Sequence, residues 1–238
     1  MGGGGFSMEP DNPLLDRHVL SLARRRDPRV CFVATASGDA EGYRLRFHRA
    51  FSTLGCRTAD LTLFEREIGD LRAFVLDQDV VYVGGGNTAN LLAVWRTHGL
   101  DRVVREAWEQ SVVLCGVSAG MNCWFEASVT DSFASNRLAA LPDGLGLLQG
   151  SACPHYDGEP DRRSTYHRLL AEGALPAGLA ADDGAALVFA GTELHEVVAS
   201  RAHAAAYRVG CRQGQVVEER LVARYLGERG DQSAPSQE

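Results

Sequence analysis

The sequence predicts an α/β protein whose mostly parallel sheet is covered by helices on both faces. In the first half of the chain, apolar segments rich in β-branched residues alternate with longer segments of helical periodicity. Two of the predicted strands, 79–83 and 112–117, run directly into glycine clusters. Because ligands bind beyond the carboxyl ends of parallel strands, we expect both clusters to border the same site.

Length, composition and charge narrow the class of protein. A chain of 238 residues with 45% hydrophobic residues suits one globular domain, which we expect over residues 1–226. A net charge of −7 argues against nucleic-acid binding, and no apolar run reaches the length of a membrane span. Six scattered cysteines without a CxxC pair favour free thiols and a location in the cytoplasm over a structural zinc site.

The chain begins with a glycine-rich stretch, residues 2–5, of the kind that usually follows a strand. We therefore expect a first strand upstream of Gly2, and the alternative is a free glycine-rich end. Residues 11–13 then predict a helix cap with proline in the first turn. The elements predicted after this cap are, in order, helix 14–25, strand 29–35, a helix through Phe47 and Phe51, strand 57–64, helix 67–75, strand 79–83, helices 90–95 and 103–110, and strand 112–117.

The second half of the chain predicts shorter elements. A polar loop over 130–144 and a short strand at 145–148 precede a loop that contains His155. A helix over 162–170 follows, and then come short strands at 185–189, 193–199 and 206–209, which glycine turns separate. We expect these late strands to extend the sheet in antiparallel fashion. The tail, 227–238, is rich in Ser, Gln, Pro and Gly and predicts disorder.

The stretch Gly116-Val117-Ser118-Ala119-Gly120 has the spacing of a nucleophile elbow, in which a serine lies on a tight turn between a strand and a helix. The glycines allow neighbouring backbone to approach closely, and the helix N-terminus favours an oxyanion beside the serine. The alternative is a glycine-rich turn whose serine only caps the helix.

Activation of a serine requires a base, an acidic residue that orients the base, and an oxyanion hole. Of the seven histidines, His155 alone lies in a loop directly after a predicted strand, which makes it the best candidate for the base. The N–H groups of Gly86 and Ala119 are the candidates for the oxyanion hole. A phosphate-binding loop is the alternative for the cluster around Gly86, but the sequence lacks the G-x-G-x-x-G and Gly-Lys-Ser/Thr patterns.

Several aspartates that follow predicted strands are candidates for the acidic residue. Asp157 is too close to His155 in sequence to face it comfortably. Asp182 and Asp183 form a turn after a short strand, and Asp131 lies in the polar loop after the elbow. A plain turn aspartate or a helix cap is the structural alternative for each of them.

Taken together, three motifs resemble peptidase family S51, the dipeptidase E or aspartyl dipeptidase family, to which cyanophycinase is related. The motifs are Val83-Gly84-Gly85-Gly86-Asn87-Thr88, the elbow around Ser118, and Cys153-Pro154-His155-Tyr156, in the order and at the spacings of that family. The resemblance covers residues 2–217. It implies a class I glutamine-amidotransferase-like fold, a flavodoxin-like three-layer sandwich, with serine in place of the usual cysteine nucleophile.

The resemblance also implies roles for individual residues. Ser118 would be the nucleophile, His155 the general base and acid, and Asp183 the third catalytic residue. Asp182 and Asp131 are the alternatives for that acid. The N–H groups of Gly86 and Ala119 would bind the oxyanion.

For the substrate, the resemblance implies that Arg162 binds an aspartate side chain, with Arg163 as its rival, and that Asn87 and Tyr156 contribute to binding. The loop between His155 and Arg162 is shorter than in the aspartyl-specific enzymes, which argues against strict specificity for aspartate.

These expectations describe a serine-type peptidase that hydrolyses dipeptides or the N-terminal residue of short peptides, with Asp-X dipeptides as one substrate class. No metal or organic cofactor is expected. The expected partners are a short peptide substrate and, as one option, a second copy of the chain in a homodimer. The alternatives are a hydrolase of another amide, such as a cyanophycin-like or β-aspartyl substrate, and a catalytically silent homologue.

Overall fold

A computed structural model describes residues 1–134 and 137–228, and its first four strands form the predicted parallel sheet. They are β1 (Arg29–Val33), β2 (Arg57–Leu61), β3 (Val80–Val83) and β4 (Val113–Gly116), all parallel, in the spatial order β2-β1-β3-β4. The helices of this half are α1 (Gly5–Met8), α2 (Leu14–Ser21), α3 (Glu41–Phe51), α4 (Leu71–Leu76), α5 (Thr88–His98) and α6 (Leu100–Glu109), with a 3₁₀ turn at Thr35–Ser37.

The parallel sheet is buried on both faces because its side chains alternate between two apolar layers. Val30 and Phe32 of β1 pack with α2 and α3, whereas Cys31 and Val33 pack with α4, α5 and α6. All four side chains are fully buried, as continuous apolar strands require. The fold class that the sequence predicts, with helices on both faces of a parallel sheet, is confirmed.

The second half of the chain forms two further sheets instead of one extension of the first. Six strands, β5 (Phe125–Thr130), β6 (Ala139–Leu141), β7 (Leu148–Cys153), β8 (Gly178–Ala181), β11 (Ala206–Arg212) and β12 (Gln215–Leu221), lie in the order β12-β11-β8-β7-β5-β6. Three strands, β9 (Ala185–Ala190), β10 (Glu193–Ala199) and β13 (Arg224–Tyr225), lie in the order β13-β10-β9. The late pairs β9–β10 and β11–β12 are antiparallel, as predicted.

Several predicted boundaries were wrong, and β5 was missed. The elbow helix, α7 (Ala119–Asn122), is a single turn, and β5 follows it where a longer helix and then a loop were expected. Ser128 and Thr130 look like loop residues in the sequence, but both are buried in β5 beside Val129. Helix α2 ends at Ser21, whose hydroxyl donates to the carbonyl of His18.

The glycine-rich beginning of the chain is built into the fold as a ribbon, residues 1–3, between two strands. The Met1 amino group donates to the carbonyl of Gly116 at 2.9 Å, and the Ser118 N–H donates to the carbonyl of Met1 at 3.2 Å. On its other side the ribbon contacts the chain around β9, where Gly2 N–H donates to Ala185 at 3.0 Å. The alternative of a free glycine-rich end is therefore wrong.

No helix in residues 1–134 or 137–228 has both the length and the apolar character needed to cross a bilayer. All six cysteines carry free thiols. Helix α8 (Arg162–Ala171) lies where the sequence predicts it. The predicted tail, 227–238, lies outside the described residues from residue 229 onwards.

Phe6 of α1 anchors the glycine-rich beginning in an aromatic cluster on one face of the sheet. Its ring is 3% exposed and contacts five other rings at centroid distances of 5.4 to 5.7 Å. These rings are Phe32, Tyr43, Phe47, Phe51 and Tyr82.

We expect Phe6→Ala to lower the free energy of unfolding by about 3–5 kcal/mol, because it leaves a cavity at the centre of this cluster. Urea denaturation followed by circular dichroism measures the change. The matched control is Phe64→Ala, since Phe64 is 56% exposed, and we expect it to cost less than about 0.5 kcal/mol. Equal losses in the two variants would show that Phe6 is not a structural anchor.

Candidate active site

Ser118 lies on the tight turn between β4 and α7 in a backbone conformation that an L-residue rarely adopts. Its φ is 57° and its ψ is −113°, so the residue is strained. The surrounding backbone holds it there, because its carbonyl accepts from the N–H groups of Met121 and Asn122 at 2.8 and 3.0 Å. This is the geometry of a nucleophile elbow.

The two glycines of the elbow are required by close backbone contacts. A Cβ at Gly116 would lie 2.3 Å from the carbonyl oxygen of Gly120, and a Cβ at Gly120 would lie 2.2 Å from the carbonyl oxygen of Val83. Any larger residue at either position would force the turn away from β3. The G-x-S-x-G spacing therefore reflects packing of the turn on its neighbouring strand.

A second glycine loop follows β3 and lies directly against the elbow. A Cβ at Gly85 would contact the Cβ of Ser118 at 3.3 Å. Gly86 has a φ of 138°, and a Cβ there would lie 2.2 Å from the carbonyl oxygen of Ala36, so only glycine fits. The two clusters that follow β3 and β4 thus meet at one site, as the sequence predicts.

The N–H groups of Gly86 and Ala119 are free to bind an anion. Within residues 1–134 and 137–228, neither group donates a hydrogen bond to the protein. By contrast, Gly85 N–H donates to the Tyr43 hydroxyl at 3.2 Å. Two unpaired backbone donors next to a serine are the components of an oxyanion hole.

His155 and Asp183 form a hydrogen-bonded pair in the same region. His155 Nδ1 lies 2.7 Å from Asp183 Oδ1, and the side chains are only 13% and 12% exposed. The pair is held in place by its backbone, because Tyr156 N–H donates to Ala181 at 3.1 Å and Asp183 N–H donates to Asp157 Oδ1 at 2.8 Å. The hydrogen bond from His155 holds the pKa of Asp183 below its usual value.

The ribbon of residues 1–3 brings this pair close to the elbow. Ser118 N–H donates to Met1, while Gly3 bridges to Asp183 and its carbonyl accepts from Gly184 N–H at 3.0 Å. Met1 and Gly3 are about 7 Å apart along an extended chain. No hydrogen bond joins Ser118 Oγ to His155 in the described part of the chain, and such bonds often tighten only when substrate binds.

The other two acidic candidates lie elsewhere. Asp182 Oδ2 accepts from Ala205 N–H at 3.0 Å and has no hydrogen bond to His155 among the described residues, and burial raises the pKa of Asp182. Asp131 lines a cavity of about 530 Å³ together with Glu159 and Arg168 and has no hydrogen bond to His155 among the described residues. Of the three aspartates, Asp183 alone contacts His155.

Comparison with known proteins shows to which family the chain belongs. The family model of peptidase family S51 matches residues 1–197. The chain belongs to peptidase family S51. As a member of that family it is a serine peptidase.

Relatives within the family agree with this assignment. The chain is 53% identical to the uncharacterized peptidase YgaJ of Bacillus subtilis over 227 residues, which cover 95% of this chain and 97% of that protein. It is 30% identical to peptidase E of Streptomyces coelicolor over 138 residues, which cover 58% of this chain and 55% of that protein.

Two crystal structures share the fold at 20% sequence identity. A peptidase from an acI-B1 Actinobacterium has a TM-score of 0.70, with 94% of this chain and 92% of that chain covered. A putative peptidase E protein from Listeria monocytogenes EGD-e has a TM-score of 0.53, with 92% of this chain and 96% of that chain covered.

The S51 residues expected to bind substrate are engaged in contacts within the protein. Arg162 is 4% exposed, and its Nη2 and Nε donate to Glu159 Oε2 at 2.5 and 2.9 Å. Arg163 pairs with Glu218 and lies over the ring of Tyr156 at 5.1 Å. Both candidate arginines are therefore neutralised by a carboxylate.

Asn87 and Tyr156 support the walls of the site. The Asn87 side chain accepts from Asn90 N–H at 2.8 Å, which caps α5, and donates to the carbonyl of Ser132 at 2.9 Å. The Tyr156 hydroxyl bonds to His167 Nε2 at 2.8 Å and to Glu218. The polar atoms of both side chains are thus occupied within the protein.

Tyr43 and Ser7 are neighbours of the site that the sequence did not predict. The Tyr43 hydroxyl accepts from Gly85 N–H and lies 2.6 Å from the hydroxyl of Ser7. These contacts fix the peptide before Gly86. Ser7 follows the glycine-rich stretch, which was a signal for proximity to the site, but nothing in the sequence around Tyr43 pointed to it.

The opposite pKa shifts of Asp183 and Asp182 predict opposite pH dependence for their asparagine variants. Because the folded pKa of Asp183 is lowered, its stabilisation is present above the unfolded value of about 4 and is lost as the pH falls below it. We expect Asp183→Asn to cost about 1–3 kcal/mol at pH 7 and progressively less towards pH 3.

Because the folded pKa of Asp182 is raised, the stability it contributes is greatest at low pH and is lost as the pH rises. Asp182→Asn should therefore be better tolerated at pH 7 than at pH 3. Urea midpoints of both variants and the wild type, measured from pH 3 to pH 7, test these two predictions. Parallel curves for the two variants would contradict it.

Proposed function

We propose that this serine peptidase cleaves dipeptides, and the first residue of other short peptides, through an acyl-enzyme formed on Ser118. The observation that carries the proposal is the hydrogen-bonded pair of His155 and Asp183, which the ribbon of residues 1–3 joins to the strained elbow. A base, its orienting acid, a serine and two free backbone donors are the components that acyl transfer needs.

In the proposed mechanism Asp183 accepts from the Nδ1–H of His155, which leaves Nε2 as the base. His155 Nε2 has no partner among the described residues, so it is free to take the proton of the Ser118 hydroxyl. The serine oxygen attacks the scissile carbonyl, and the N–H groups of Gly86 and Ala119 stabilise the oxyanion. His155 then gives the proton to the leaving amine. In the second step His155 takes a proton from water, the water oxygen attacks the acyl-enzyme, and His155 returns the proton to the Ser118 oxygen as the acid product leaves.

The cavity beside Asp131 supports a short substrate with a free amino end. Its volume is about 530 Å³, and its lining residue Asp131 directly precedes Ser132, whose carbonyl accepts from the Asn87 side chain next to Gly86. Its charged lining contains both signs, with carboxylates and guanidinium groups from Asp131, Glu159, Asp161, Arg137 and Arg168. A dipeptide is small enough for this cavity, and its amino and carboxylate ends can pair with charges of both signs. The backbone in the middle of a long peptide is uncharged and could not pair with them.

The paired arginines support a specificity broader than Asp-X. Glu159 neutralises Arg162, and Glu218 neutralises Arg163, so an aspartate side chain would have to displace a carboxylate that is already bound. Aspartate at the first position is therefore tolerated in the proposed function but is not required. A location in the cytoplasm, where short peptides are degraded, also stays a prediction.

Ser118→Ala should abolish cleavage, with a loss in kcat of at least about 10³-fold, because the nucleophile is removed. The assay follows release of the first residue from Ala-Leu, Gly-Leu, Leu-Leu and Asp-Leu by mass spectrometry. A fluorophosphonate should label the wild type and not the variant. The matched control is Ser52→Ala, since Ser52 is exposed directly after α3 and its hydroxyl donates to the carbonyl of Arg49, and it should keep full activity.

Other outcomes of this assay would contradict the proposal. Full cleavage by Ser118→Ala would exclude the acyl-enzyme. Labelling of Ser118 without cleavage of any dipeptide would favour another amide substrate, for which a β-aspartyl dipeptide and a cyanophycin-like polymer complete the panel. Neither labelling nor cleavage by folded protein would indicate a silent homologue. Cleavage of N-acetyl-Ala-Leu as fast as Ala-Leu would exclude recognition of the amino end.

Glu159→Gln tests whether the ion pair with Glu159 prevents the buried Arg162 from binding a substrate carboxylate. The charge of Arg162 also helps to lower the pKa of Asp183, so its guanidinium lies near the catalytic pair. Freed from Glu159, it should raise kcat/KM for Asp-Leu about 10-fold, which corresponds to about 1.4 kcal/mol, and change Ala-Leu less than about 2-fold.

The control for this variant is Glu106→Gln, which removes a carboxylate from the exposed Arg72, outside the cavity lining, and should change neither substrate. An unchanged preference in Glu159→Gln would mean that Arg162 does not reach the substrate. A wild-type preference for Asp-Leu over Ala-Leu of more than about 10-fold would contradict the broad specificity.

A further inference from the structure

Among the three methionines of the chain, Met8 alone has an exposed side chain. Met8, the last residue of α1, is 46% exposed, whereas Met1 and Met121 are 8% and 3% exposed. A thioether is oxidised most readily where an oxidant can reach it, so exposure favours Met8 over the other two. The mechanism proposed above makes no use of its sulfur.

The sulfur of Met8 packs on the glycine-rich beginning of the chain. Met8 Sδ accepts a hydrogen bond from Gly4 N–H at 3.3 Å, and this N–H has no other acceptor in the described part of the chain. The sulfur also lies against Gly3, where a Cβ would be 2.9 Å from it. Because a thioether is a weak acceptor, the side chain is held there mainly by its apolar contact.

The carboxylate of Asp183 lies against the same glycine of the ribbon. A Cβ at Gly3 would be 2.1 Å from Asp183 Oδ1. Since both distances are measured from one point, Met8 Sδ and Asp183 Oδ1 are at most about 5 Å apart. Asp183 Oδ1 is also the oxygen that bonds to His155 Nδ1. The sulfur is therefore a near neighbour of the hydrogen bond that orients the proposed base.

We propose that Met8 is an oxidation site whose conversion to methionine sulfoxide lowers the activity of the peptidase. Hydrogen peroxide transfers one oxygen atom to Sδ. Its O–O bond breaks, an S–O bond forms, the sulfur gives up two electrons, and the second oxygen leaves as water with both protons. Methionine sulfoxide reductases reverse the step. The inference rests on the role of Asp183 in the proposed function.

The added oxygen disturbs both contacts of the sulfur. An oxygen accepts more strongly from Gly4 N–H than a thioether does, and inserting it between the two atoms moves the sulfur outward by one S–O bond length. The partial negative charge of this oxygen is also repelled by Asp183. Both effects draw the side chain away from Gly3, so that water reaches the carboxylate and competes for its hydrogen bond with His155.

The cysteine thiols are poor competitors for the oxidant, because the reactive form is the thiolate. Burial raises the pKa of five of the six thiols, which are those of Cys31, Cys56, Cys115, Cys123 and Cys153. The sixth cysteine, Cys211, is exposed in β11. Its thiol is therefore the one that a test of Met8 has to control for.

The test treats the purified enzyme with hydrogen peroxide and then removes the peroxide with catalase. Peptide mass spectrometry should find the sulfoxide at Met8 before it appears at Met1 or Met121. As the sulfoxide forms, kcat for Ala-Leu should fall at least about 5-fold while KM changes less than about 2-fold. Dithiothreitol alone should not restore kcat, whereas dithiothreitol with methionine sulfoxide reductases A and B should restore it.

Three variants separate Met8 from other targets of the peroxide. Met8→Leu keeps an apolar side chain of similar volume, so it should retain at least about half of the wild-type kcat and resist peroxide. Met8→Gln puts a polar amide in place of the thioether and should lower kcat about 5-fold without any peroxide. The matched control is Cys211→Ser, which should be inactivated by peroxide as fast as the wild type.

Two results would overturn the inference and leave the proposed function standing. One is full activity of protein in which Met8 is oxidised, and the other is equal inactivation of Met8→Leu and the wild type. A rise in KM at constant kcat would also overturn it, because the sulfur would then act on substrate binding and not through Asp183.

Labelling of Ser118 by a fluorophosphonate gives the same comparison without a peptide substrate, since it too should slow after oxidation. Labelling that slows in protein that cleaves no dipeptide would contradict the proposed substrate and support the inference. Folded protein that is neither labelled nor active before oxidation would overturn both.

Discussion

The organisation of this site depends on one backbone ribbon that is hydrogen-bonded on both sides. Through Met1 it holds the N–H of Ser118, and through Gly3 it holds the turn that carries Asp183. Ser118 and Asp183 follow strands of different sheets, and the ribbon links these two positions directly through backbone hydrogen bonds. Phe6, three residues after the ribbon, fixes it to the aromatic layer of the parallel sheet. The relative placement of Ser118 and Asp183 is thus connected to the core through the first six residues.

The strained conformation of Ser118 is maintained by several contacts that act together. A φ of 57° costs free energy on the order of 1–3 kcal/mol, and it persists only where the surrounding structure leaves no alternative. Here Gly116 packs on Gly120, and Gly120 packs on Val83, so the turn cannot relax without moving β3. The loop around Gly86 depends on the same strand, because it begins where β3 ends. Strain at the serine and placement of the donors therefore have one structural origin.

The sequence predicted the features that require a fixed local pattern of residues. It could not predict the features that depend on contacts between segments far apart in the chain. The elbow and the loop around Gly86 could be predicted because close backbone contacts demand glycine at fixed spacing. Asp182 and Asp183 could not be separated, since neighbouring residues of one turn look alike and the choice depends on the distant Asp157 and Ala205. Strand β5 was missed because its polar residues, Ser128 among them, are buried. The division into three sheets likewise has no local signature.

The charges around the site explain why a family resemblance at the level of motifs does not fix substrate preference. An arginine recognises a substrate carboxylate only if its own partner can be displaced, and Glu159 lies three residues before Arg162 in the same turn of chain. That proximity keeps the ion pair intact, because separating it would leave the buried guanidinium of Arg162 unpaired. Arg163 is held by different interactions, an ion pair with Glu218 and cation–π contacts with the rings of Tyr156 and Tyr207. The proposed function therefore draws its binding energy from the ends of the substrate rather than from its first side chain, and it predicts cleavage of short peptides of varied composition rather than of one acidic dipeptide.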